Sequence, residues 1–203
     1  MAFPEFFQQV PSLTLRDPLA ELLGAADGGV IEYHYADAVK LAGHSCPTVA
    51  GAWLMARWGL AALYPDGLPE RGGIRVEMGA PQDAGTTGVV GSVLGLITGA
   101  AGDGGFKGLG GAHVRRDRLR FGVPLEGAVC LTRLDTGVAV LLDYSPERVP
   151  PAPEMGPLMQ RVVGGMADAD ERQVFARLWQ DRVRRILLEH GDDPALVSVQ
   201  VTA

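Results

Sequence analysis

The sequence predicts an α+β fold: a mixed, strand-rich core holding two glycine-containing helices, followed by a C-terminal helix–strand extension. Three observations carry this expectation. Short runs at 30–35, 73–78, 127–133 and 138–144 are rich in alternating apolar, aromatic and polar residues, the signature of half-buried strands. Two longer runs, Thr48 to Leu63 and Thr87 to Thr98, are apolar enough for buried helices yet carry several glycines that let neighbours approach. Beyond residue 168, a helical pattern of about twenty residues closes on the run Leu196 to Val201, which reads as a strand.

Taken in order, Pro4 to Gln9 is expected to form a short amphipathic turn ended by Pro11. Asp17-Pro18 followed by Gly24 has the N-cap, first-turn proline and terminal glycine of a short helix. Val30 to Tyr35 is the first expected strand, and Asp37 to Leu41 a helix stopped by Ala42-Gly43. In Thr48 to Leu63, the residues Val49, Ala52, Trp53, Ala56, Leu60 and Leu63 fall at the three-or-four spacing of a buried face. Gly73 to Met78 and Arg118 to Val123 read as strands. Asp135-Thr136-Gly137 turns a hairpin between Gly127–Arg133 and Val138–Tyr144. Five prolines between Pro146 and Pro157 have the composition of a linker or extended arm. Asp170 to Glu189 is the C-terminal helix, ended by Gly191. Residues 1–150 therefore read as the main domain and 151–203 as a Pro-rich linker with a helix–strand extension packed on it.

The 203 residues suffice for a real core, and 47% apolar content excludes a disordered chain. A formal net charge of -6 argues against nucleic acid or an acidic membrane surface as partner. No apolar run is long and unbroken enough to span a bilayer, and residues 1–5 lack the basic start of a secretory signal. A cytoplasmic, reducing location is the expectation. Two cysteines, Cys46 and Cys130, cannot make a disulfide framework.

Chemistry concentrates at Gly43-His44-Ser45-Cys46-Pro47. Imidazole and thiolate are both good ligands of zinc and similar divalent ions, and His44 and Cys46 lie on one tight turn. With Pro47 opening a helix, Cys46 falls at the N-cap, where the dipole favours thiolate. The bland reading, a buried Cys beside a capping turn, stands against this. So does a Cys46 nucleophile with a His base, although no orienting third group is evident. His113, His34, Cys130, a carboxylate or water remain open as further metal donors. Cys130, in an apolar strand, reads as buried and inert, and His34, between two tyrosines on a strand, also reads as a core residue. Gly102 to Gly111, with Asp103 and Lys107, is a flexible connection or an anion cradle, but no Walker loop. Arg115, Arg116, Arg118 and Arg120 could bind phosphate or carboxylate; the simpler reading is a solvated edge whose charge blocks aggregation.

The run Ala42 to Pro47, followed by Gly51 in a helix, resembles the H-G-H-x-C-P-G segment of the FmdE-like family of formylmethanofuran dehydrogenase subunits. Leu96-Ile97-Thr98-Gly99-Ala100, followed by a glycine-rich loop with a lysine, resembles that family's second marker, T-G-C-T. The likeness spans about Val30 to Tyr144. Ala42 stands where the family has its first His, Thr48 where it has Gly, and Ala100 where it has the second Cys, so only His44 and Cys46 carry over as metal ligands. The resemblance implies a mixed α+β domain that forms a homodimer and holds a metal at the His-x-Cys turn, zinc or a similar divalent ion by the donor types. It also places Asp103 and Lys107 in a pocket beside the metal turn, facing a small anionic or cofactor-like ligand, for which Arg115 of the Arg-rich run is a further candidate contact. Three functions follow as expectations. The first is a zinc-binding protein with hydrolytic or redox-accessory activity. The second is a non-enzymatic accessory or carrier component of a molybdenum or tungsten formyl- or formate-type dehydrogenase. The third is a Cys46-dependent thiol enzyme.

Overall fold

The structure is a computed structural model describing residues 3–202. Met1, Ala2 and Ala203, which the two expected segments include, lie outside the described residues. The fold is α+β, as expected.

A short 3-10 turn at Glu5–Gln9 leads into β1 (Leu13–Arg16), α1 (Pro18–Leu22) and β2 (Val30–Tyr33). β1 and β2 form an antiparallel pair with Leu13 opposite Tyr33. β1 has no counterpart among the expected elements: it is four residues long and hemmed in by Pro11 and Pro18, too short to show an alternation. Asp17 caps α1 through its side chain, as its position before Pro18 implies. The expected strand at 30–35 ends two residues early, because Tyr35 opens α2 (Tyr35–Ala42) with His34 as its N-cap. The Asp37 carboxylate reaches back to the His34 backbone N–H, half of a reciprocal capping box. His34 is consequently exposed rather than a core residue.

α3 (Pro47–Leu63) is the buried spine of the molecule. Its residues Val49 to Ala56 are almost all inaccessible, because α2, α4, α6 and the large sheet surround it. Fully buried side chains such as Trp53 and Leu54 each contribute about 1.5–3 kcal/mol by leaving water. α4 (Thr87–Thr98) packs beside α3 on the same face of a five-stranded sheet.

That sheet runs in the order β4 (Leu119–Arg120), β3 (Ile74–Met78), β5 (Val129–Arg133), β6 (Ala139–Tyr144), β7 (Val197–Thr202). Only the β3–β4 pair is parallel. One row, Val76–Leu131–Val140–Val201, crosses it in register. The first three of these are fully buried under the helices, whereas Val201 is 60% exposed at the open edge. The expected strand at 118–123 shrinks to the two residues of β4, since Gly122 takes a left-handed φ of 68° and turns the chain away.

The C-terminal segment holds one more helix than expected. After a 3-10 turn at Pro146–Arg148 comes α5 (Met155–Val163), masked in the sequence by Gly156 and Pro157 in its first turn. α6 (Ala169–Arg184) starts from the capping box of Asp168 and Glu171 and continues as a π turn through Arg185–Glu189. It lies against α3, and Trp58 of α3 donates its indole N–H to the Gly191 carbonyl at 2.8 Å. No helix among the described residues is long and apolar enough to cross a membrane.

Candidate functional site

The turn between α2 and α3 is only residues 43–46, and each has a defined task. Gly43 ends α2 at a left-handed φ of 76°, a conformation that costs glycine nothing. Cys46 is the N-cap of α3, its Sγ accepting from the Val49 N–H at 3.5 Å. His44 is exposed, and its Nδ1 lies 2.9 Å from the Ala42 carbonyl oxygen. A carbonyl can only accept, so Nδ1 carries the proton and the Nε2 lone pair is left for a ligand, the tautomer that metal-binding imidazoles adopt.

Side chains from far along the chain immobilise this turn. The Ser45 carbonyl accepts from the Trp179 indole at 2.9 Å and from Gln180 Nε2 at 3.1 Å, both on α6. The Ser45 hydroxyl lies 3.0 Å from the Tyr35 hydroxyl. Tyr144, at the end of β6, donates its hydroxyl to the Pro47 carbonyl at 3.0 Å. Its ring rests directly on Gly51, where a Cβ would come within 2.3 Å of Tyr144 Cε1. Burial pushes both phenols well above the usual tyrosine range, so Tyr144 remains a donor.

His44 and Cys46 open together into a cleft of about 540 Å³, whose other walls include Thr86, Tyr144, Trp179 and Arg182. None of the residues lining it is a carboxylate. Arg182 spends Nε on the Val149 carbonyl at 2.7 Å and Nη2 on the Pro146 carbonyl at 2.9 Å, and pairs with no acid among the described residues. α3 and α4 both start at the cleft, adding the positive ends of two helix dipoles. The arrangement offers one soft sulfur, one imidazole nitrogen and a positive potential.

The remaining expected site residues lie elsewhere. His34 caps the opposite end of α2 from His44, about 12 Å away along eight residues of helix. His113 and Arg115 line a second cleft, together with Arg71. That cleft borders Gly99 at the C-terminal end of α4, whereas Thr86 at its N-terminal end lines the first, some 18 Å away for twelve residues. Asp103 only caps the neighbouring Gly104 N–H, and Lys107 is exposed on the same loop. Neither lines the His44–Cys46 cleft, so the pocket expected from Asp103, Lys107 and Arg115 does not form around this turn. Arg115 is also no solvated edge: it is 7% exposed and ion-paired to Asp17. Cys130 is buried, its thiol pushed up by desolvation, and its Sγ lies 3.8 Å from the Thr132 hydroxyl.

Among the described residues, no three His, Cys, Asp or Glu side chains stand close enough to hold one ion. The residues present thus fit two positions of a metal shell and not a closed four-ligand structural site. Tyr144, Trp179, Gln180 and Arg182 are site residues that the sequence does not single out. Their contexts, a strand end and a polar helix face, carry no local sign of a site nearly a hundred or more residues upstream.

No protein-family profile, curated protein or solved structure matches this chain.

Proposed function

We propose that this is a metal- and ligand-binding protein in which His44 Nε2 and Cys46 Sγ hold a divalent cation, zinc by donor preference. The other coordination positions fall to water or to a small anionic ligand whose charge Arg182 meets. The observation that carries the reading is the shared cleft: His44, Cys46 and Arg182 line it with no carboxylate among them. The proton on Nδ1 and the clamped Ser45 carbonyl support it, since both preset the two donors. A zinc ion there would supply Lewis acidity to bound water or a carbonyl group. The chain's own part is to orient the ligand through Arg182 and to keep Tyr144 protonated as a fixed donor to the turn.

Membership of the FmdE-like family of formylmethanofuran dehydrogenase subunits belongs to the same proposal. It is supported by the turn-to-helix order of Gly43 to Pro47 and by Gly51 facing Tyr144. A homodimer in the cytoplasm belongs to it too, measurable as sedimentation at twice the mass of one chain. The uncharged open edge of β7, with Val201 exposed, is compatible with such pairing.

Elemental analysis of purified and zinc-reconstituted protein tests the core of this reading. One equivalent of metal per chain is expected in the wild type, with loss in both His44→Ala and Cys46→Ser. Metal retained in both variants would falsify the assignment. Metal-free protein whose activity dies on alkylation of Cys46 would instead establish thiol chemistry, for which Sγ at a helix N-cap is the supporting observation.

A further inference from the structure

The cleft formed by Arg71, His113, Arg115 and Arg118 lies outside the site above, and its charges do not balance. Asp17 accepts from Arg71 Nη1 at 2.8 Å and from Arg115 Nη2 at 2.6 Å, so a single carboxylate serves two guanidinium groups. Asp17 and Arg115 have side-chain exposures of only 5% and 8%. Arg115 Nη1 and Arg71 Nε are buried with no acceptor. Arg118 is half-buried in the same cleft and makes no ion pair among the described residues. Burial and the Arg115 charge both press its guanidinium below its usual basicity. Of the acids on the rim, Asp135 is taken by Arg133 at 2.8 Å, which leaves only the exposed Glu70. With Glu70 counted in full, Arg71, Arg115 and Arg118 still exceed Asp17 and Glu70 by one positive charge.

A protein interior does not carry an unpaired charge and orphaned N–H donors without a large desolvation cost, unless a partner arrives. The chain is shaped to keep the guanidinium there. Arg115 lies flat on Gly72, where a Cβ would stand 1.4 Å from Nη1, and Gly72 holds a φ of 87° that disfavours any side chain. His113 adopts a left-handed φ of 57° on the cleft wall. Tyr64 and Leu134 provide an apolar side to a cavity of about 310 Å³, room for a small molecule.

We infer that this cleft is a binding site for a small oxyanion, a phosphate or carboxylate group, held by Arg118 and by the excess charge of the Arg71–Arg115 pair. Planar guanidinium groups suit either anion. The occupant would tie together the start of α1, the loop before β3 and the loop before β4.

Calorimetric titration of the full chain with inorganic phosphate and, separately, succinate at fixed ionic strength tests this, with folding checked by circular dichroism. Saturable binding is expected in the wild type. Arg118→Ala should weaken it about tenfold or more, the worth of one charge-assisted hydrogen bond. Arg118→Lys should be intermediate and Arg120→Ala unchanged. Tighter phosphate than succinate identifies a phosphate-bearing ligand, and the reverse a carboxylate. Absence of saturable binding by either anion, or undiminished binding in Arg118→Ala, overturns the proposal. Metal content, measured alongside, is independent: metal-free protein that still binds the anion through Arg118 would sink the metal reading and leave this one standing.

Discussion

The Trp179 indole N–H donates to the Ser45 carbonyl oxygen at 2.9 Å, joining residues 134 positions apart. The C-terminal helix thereby fixes the backbone between His44 and Cys46. Trp179→Phe keeps most of the ring and deletes the donor, and Gln180 still bonds the same carbonyl. Stability should fall by only about 1 kcal/mol. Zinc binding at the proposed His44–Cys46 site should, by contrast, weaken on the order of tenfold, as when a support of a metal ligand is removed. Urea denaturation and competitive metal titration read the two effects separately.

Gly51→Ala pits two magnitudes against each other. Alanine in a helix interior gains about 1 kcal/mol over glycine. The new Cβ would lie 2.3 Å from Tyr144 Cε1, and overpacking of this kind costs about 1–3 kcal/mol. Displacing the ring also removes the Tyr144–Pro47 hydrogen bond, worth about 1 kcal/mol. Net destabilisation is expected as a lower urea midpoint. Adding Tyr144→Ala to Gly51→Ala should cost less than Tyr144→Ala does in the wild-type background.

Asp17 supplies a pH dependence with a definite sign. Arg71 and Arg115, with the α1 backbone N–H groups, outweigh burial and hold its carboxyl below the ordinary aspartate value. A depressed folded-state pKa means the stabilisation is complete above the unfolded value of about 4 and disappears as pH falls through the lower folded value. Asp17→Asn should cost about 3 kcal/mol or more at pH 7, because it strands two guanidinium groups. The gap between wild type and variant, measured by urea denaturation, should narrow as pH falls below about 4. A gap that stays constant from pH 7 to 3 would contradict the ion-pair assignment.

Arg182→Ala removes the cation of the His44–Cys46 cleft and also the donors to Pro146 and Val149. The anion binding proposed for this cleft should weaken about tenfold. The proline-rich arm at 146–154 should become the preferred site of limited proteolysis. Arg182→Lys should not restore both carbonyl contacts, since an ammonium lacks the planar fork.

The parts of the fold legible in the sequence are those whose signals are local. α3 and α4 follow from long apolar runs, and the β5–β6 hairpin from two strands around Asp135-Thr136-Gly137. β1 and α5 are hidden because four residues cannot show a period and because Gly156-Pro157 reads as a break. The His44–Cys46 turn is visible for the same local reason, since Gly, Pro and two ligand-type side chains fall within five positions. Its walls are not. Arg115 is an example of the limit: beside three other arginines it reads as a solvated edge, and what buries it is Asp17, 98 residues earlier. Loop placement fails likewise, because the glycine-rich stretch with Asp103 and Lys107 follows the C-terminal end of α4 and the turn faces its N-terminal end.

The clamp on Ser45 has a consequence for biosynthesis. α2, α3 and their connecting turn leave the ribosome early, but the donors that fix the turn are Tyr144, Trp179 and Gln180, and the cleft closes with Arg182. Contacts of such long sequence separation form late. A nascent chain can therefore complete its spine helix before it can organise its ligand cleft, and a chain truncated ahead of α6 would carry His44 and Cys46 on an unfastened turn. The metal binding proposed at this turn would then depend on α6 having been made and docked, and not on the turn alone.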